Sequence, residues 1–81
     1  MTKILLVEDN EMNKDMLSRR LTKKGYEIVF AMDGQEAIDM AISESPDVIL
    51  MDMGLPVKDG MQATKEIKEN PDTSSLSLIH I

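Results

Sequence analysis

The chain has 81 residues, a formal net charge of −6 and no cysteine. That length allows one small domain, which buries only roughly 60–65% of its unfolded surface, and no disulfide or thiolate metal site can add to its stability. The acidic balance argues against non-specific binding to nucleic acid, and no apolar run approaches the ~20 residues that span a bilayer.

The amino terminus, MTKILLVEDN, is too short and too acidic for a secretory signal. It reads as the first strand of a cytoplasmic domain, with Lys3 to Val7 branched and apolar. Met12, Met16, Leu17 and Leu21 then recur at helical spacing, and Gly25, preceded by Lys23 and Lys24, marks that helix's C-terminal cap. Tyr26 to Ala31 is rich in β-formers and predicts a second strand; Asp33-Gly34 predicts a turn. Ala37, Ile38, Ala41 and Ile42 mark a second helix, stopped by Ser45-Pro46-Asp47. Val48 to Met51 is a third buried strand, and Met61, Thr64 and Ile67 mark a third helix ending at Asn70-Pro71. The eight methionines, set against only Tyr26 and Phe30 as aromatics, are expected to fill the core.

Strands alternating with helices call for a parallel sheet joined by right-handed crossovers. In such a sheet, ligands sit beyond the carboxyl ends of the strands, near the point where strand order reverses. Glu8 and Asp9 follow the first strand and Asp52 follows the third. If those strands are neighbours, three carboxylates meet on one rim. Two bare charges 4 Å apart repel by ~1 kcal/mol in water and ~4 kcal/mol at an effective dielectric of 20. A hard, oxygen-seeking cation such as Mg²⁺ offsets that repulsion; zinc fits poorly where there is no cysteine and a single histidine far down the chain. A carboxylate such as Asp52 can also accept a phosphoryl group, a transfer that depends mainly on positioning and charge neutralisation. Taken singly, each acid reads equally as a helix cap or a solvated loop residue.

Three separated stretches, KILLVEDNEMN, the Asp33-Gly34 dipeptide and PDVILMDMGLPVKDG, closely resemble the receiver domain of bacterial two-component response regulators. The resemblance runs from residue 3 to about residue 75, and the VEDNEMN stretch is most similar to stand-alone receivers and those of hybrid sensor kinases. It implies an α/β, flavodoxin-like, three-layer parallel sheet of order 2-1-3-4-5 in the complete fold. Here it implies three to four strands, order 2-1-3-4, with three helices. It further implies that Asp52 takes a phosphoryl group from a histidine kinase or histidine phosphotransfer protein. Asp9, Asp52 and the Gly54 backbone carbonyl are the implied Mg²⁺ ligands, with Glu8 acting through water. Lys58 and Asp59 receive no chemical role. The chain is thus expected to be a phosphoacceptor rather than an enzyme, with at most self-dephosphorylation.

Residues 1–75 read as the N-terminal part of a receiver. The family's later Thr or Ser, Lys, fifth strand and last helices have no counterpart in the 81 residues, so a truncated fragment with impaired activity is expected. LSLIHI, residues 76–81, reads as a fourth strand or as a non-native tail, because its codons can spell a transposon-end adapter used in sequencing libraries. On either reading His80 has no chemical role. Incomplete cover of the apolar strands predicts a poorly stable monomer, or one that associates through its exposed sheet edge. Two other readings stay in view: a metal-dependent phosphohydrolase with an aspartate nucleophile, against which Gly54 stands where a second Asp is expected, and an interaction module without chemistry. No Gly-rich loop follows the first strand, which argues against nucleotide binding.

Overall fold

The computed structural model describes residues 2–51 and 60–80. Seven elements follow in chain order: β1 (Lys3–Val7), α1 (Glu11–Lys23), β2 (Glu27–Ala31), α2 (Gly34–Glu44), β3 (Val48–Met51), α3 (Gly60–Glu69) and β4 (Ser77–His80). The strands form one parallel sheet in the order β2-β1-β3-β4. The predicted α/β class, the strand order and the three helices are all present. Ser77–His80 takes the fourth-strand position.

The register sorts the strand residues into rows across the sheet. Leu5 lies beside Val29 on one side and Ile49 on the other, and Ile49 lies beside Leu78. Val7, Ala31 and Met51 form the next row on the same face, because side chains alternate along each strand. These residues join Ala37 and Ala41 of α2 and Ala63 and Ile67 of α3 in a buried core. The alternate rows, Ile4-Ile28-Val48 and Leu6-Phe30-Leu50-Ile79, face the other way. Ile4 and Leu6, on the central strand, are buried, whereas Val48 and Leu50 are only half-buried and Ile79 is 52% exposed.

Helix ends are set by local chemistry. Asn10 caps α1, its Oδ1 accepting the Asn13 N–H at 3.0 Å. At the other end Gly25 has φ +90°, its N–H donates to the Thr22 carbonyl at 2.9 Å, and the Tyr26 N–H donates to the Leu21 carbonyl at 3.2 Å. This is the paired-bond C-terminal motif that needs a left-handed residue, as the position of Gly25 predicts. Asp33-Gly34 differs from expectation. Asp33 is the N-cap of α2, with Oδ1 accepting the Glu36 N–H at 2.8 Å, and Gly34 is the first helical residue. Glu36 reaches back to the Met32 N–H at 3.3 Å, so an acid three residues after the cap extends the helix start rather than a free turn.

The methionine expectation fails for most of the side chains described. Met51 is buried and Met40 packs against the core, but Met12 is 82% and Met61 60% exposed, and Met16 and Met32 are also exposed. The face that α1 turns to the sheet is Lys14, Leu17, Ser18 and Leu21, all partly buried, so the stripe begins at Lys14 rather than at Met12. In α3 the core contacts are Ala63 and Ile67, which puts Met61 on the outer side. Met12 and Met61 lie in the first turns of α1 and α3, ahead of the residues by which each helix meets the sheet.

Candidate functional site

The site begins with the pairing of β1 and β3. Val7 and Met51 are register partners on adjacent parallel strands, so Glu8-Asp9 and Asp52 are the residues that follow two neighbouring strand ends. The structure describes one half of this rim. Asp52, Gly54, Lys58 and Asp59 lie outside the described residues.

In the described half, the Glu8 N–H donates to the Ala31 carbonyl at 3.1 Å, which extends the β1–β2 ladder by one residue and fixes where the chain leaves the sheet. The Glu8 residue is 5% exposed. A buried carboxylate needs compensation. One part comes from the Asn10 N–H, which donates to Glu8 Oε1 at 3.0 Å in a charge-assisted bond. Asp9, the next residue, is exposed. The two acids therefore differ in kind: Glu8 is anchored to the frame, and Asp9 faces solvent.

The backbone adds a favourable field. α1 follows β1 and α2 follows β2, so both helices begin at the rim where the acids collect. A helix N-terminus carries a partial positive charge and favours an anion. The Asn10 and Asp33 side chains accept the Asn13 and Glu36 N–H groups in these first turns. Lys14, one turn into α1, is held close to the sheet, with Nζ 5.3 Å from the Phe30 ring centroid and 3.3 Å from Glu11 Oε1. Sequence reasoning passed over Lys14: the Glu11–Lys14 spacing of three residues is the local signal for the ion pair, whereas the seat on Phe30 depends on the packing of α1 over β2.

Among the described residues no group of three or more His, Cys, Asp or Glu side chains is disposed to hold a metal ion. The implied ligand set spans both halves of the rim, and only Glu8 and Asp9 fall in the described half. Their donor chemistry, oxygen only and anionic, fits a hard divalent cation such as Mg²⁺.

The family model for the response regulator receiver domain matches residues 4–80. The chain belongs to the response regulator receiver family. Among solved structures, it is similar to the receiver domain of the sensor histidine kinase PA1611 from Pseudomonas aeruginosa, described with a magnesium ion coordinated in the active site cleft, at 38% identity and a TM-score of 0.94, covering 98% of this chain and 65% of that one. The N-terminal domain of a response regulator receiver protein from Methanoculleus marisnigri matches at 28% identity and a TM-score of 0.94, with 99% and 65% covered. The chemotaxis response regulator CheY4 of Vibrio cholerae matches at 31% identity and a TM-score of 0.93, with 99% and 67% covered. The receiver chain thus spans about 65% of the length of the first two structures it matches.

Proposed function

We propose that this receiver accepts a phosphoryl group on Asp52 in a two-component or phosphorelay system, the donor being a phosphohistidine of a sensor histidine kinase or histidine phosphotransfer protein. A carboxylate oxygen of Asp52 attacks phosphorus as the phosphorus–nitrogen bond breaks, the imidazole leaves with that bond's electrons, and an aspartyl phosphate results. Asp9, Asp52 and the Gly54 carbonyl would hold Mg²⁺, with Glu8 acting through water. The bound ion supplies neutralisation of the charge shared by the acids and the phosphoryl oxygens. Glu8, anchored by Asn10 and Ala31, keeps the neighbouring Asp9 at the rim, and the α1 N-terminus favours the incoming anion.

The observation that supports this most is the parallel pairing of Val7 with Met51, since a shared cation requires the acids after β1 and β3 to emerge side by side. The magnesium ion in the Pseudomonas receiver, whose chain is 38% identical, supports the choice of ion. The receiver's role is phosphoacceptor, with no turnover beyond loss of its own phosphoryl group, and its setting is the cytoplasm. None of the described helices is long and apolar enough to cross a membrane.

Incubation with acetyl phosphate and Mg²⁺, followed by intact mass measurement, tests the proposal. The expected result is addition of one phosphoryl group, lost in Asp52→Asn and lost when Mg²⁺ is chelated. Equal uptake by Asp52→Asn, or none by the unaltered chain with Mg²⁺ present, overturns it. Steady release of phosphate from phosphomonoesters would replace it with the hydrolase reading.

A further inference from the structure

We draw no further inference here: the strongest candidate, the apolar patch of Val48, Leu50 and Ile79 on the β3–β4 half of the sheet face that carries α1, continuous with the outer edge of β4, shows nothing in the structure to say what covers it.

Discussion

The two faces of the sheet are made by the same four strands and are packed very differently. One face meets α2 and α3, and Leu5, Val7, Ala31, Ile49 and Met51 are fully buried beneath Ala37, Ala41, Ala63 and Ile67, with Val29 and Leu78 partly buried at the row's ends. The other meets α1, which has no fully buried residue. On that face burial falls from Leu6 at the centre to Leu50 and Ile79 toward β4, while Phe30 on β2 is 38% exposed. The difference follows from side-chain size as well as from helix number. α2 and α3 present Ala37, Ala41, Ala63 and Ile67 to the core, whereas α1 presents the partly buried Lys14, Leu17, Ser18 and Leu21, with the Lys14 Nζ over the Phe30 ring of β2. Unbroken apolar runs such as Ile4–Val7 and Val48–Met51 put apolar side chains on both faces, because successive residues point to opposite sides; what lies on each face decides how much of that apolar surface contributes to stability.

Truncating one isoleucine on each face is the strongest way to break this comparison. Ile49→Ala removes a side chain with no exposure and should cost ~2–5 kcal/mol. Ile79→Ala removes one that is 52% exposed, and its cost should be less than half as large. Urea unfolding of the two variants beside the parent measures both; equal losses would mean that the second face is as well packed as the first. Overfilling is the next largest effect. Ala41→Leu adds three carbons between α2 and the core and should cost ~1–3 kcal/mol. A midpoint unchanged in urea would show that α2 has room to move away.

A smaller loss is expected at the end of α1. Gly25 has φ +90° and an added Cβ meets nothing within 4 Å. Gly25→Ala therefore isolates backbone strain from any clash and should cost ~1–2 kcal/mol. Thermal unfolding followed by circular dichroism measures it, and a gain in stability would mean that the cap can relax out of the left-handed region.

The order of elements was legible because branched apolar runs such as Lys3–Val7 and Val48–Met51 are too short for helices and too apolar for loops. The cap at Gly25 was legible because a left-handed position strongly favours glycine. The role of Asp33 was read one step short: the dipeptide Asp-Gly is a turn signal, and only the bond from the Glu36 N–H distinguishes a helix cap from a turn. Met12 and Met61 were misassigned for a related reason. Periodicity gives the angle of a residue around its helix but not the height at which that helix first meets the sheet. In the candidate site, the sequence pointed to Glu8 and Asp9 together, yet not to their division into a buried, backbone-bonded acid and an exposed one. That division comes from Glu8 donating its N–H to Ala31 across the β1–β2 ladder, a contact between residues 23 positions apart that no local pattern encodes.

Removing a helix cap sharpens the comparison at its finest scale. Asn10 and Asp33 cap α1 and α2 by the same bond, from side-chain oxygen to the N–H three residues on. Asn10→Ala and Asp33→Ala should each cost ~1 kcal/mol globally. Their local consequences should differ. α2 is pinned by Ala37 and Ala41 in the core, so loss of its cap should leave its later amides protected. α1 has no fully buried residue, and its first two turns are held by Asn10, by Lys14 over Phe30 and by the partly buried Leu17 and Ser18. Segments with few buried apolar contacts open first. Amide hydrogen exchange should therefore accelerate through Glu11–Ser18 in Asn10→Ala and stay confined to the first turn of α2 in Asp33→Ala. The bond that holds Glu8 is donated by the backbone N–H of residue 10, which alanine keeps, so the same variant should leave the acid rim in place, and unchanged Mg²⁺ binding in a titration would register that. Equal spread of exchange along both helices would show that the thinner packing of α1 has no bearing on how firmly its first turns are held.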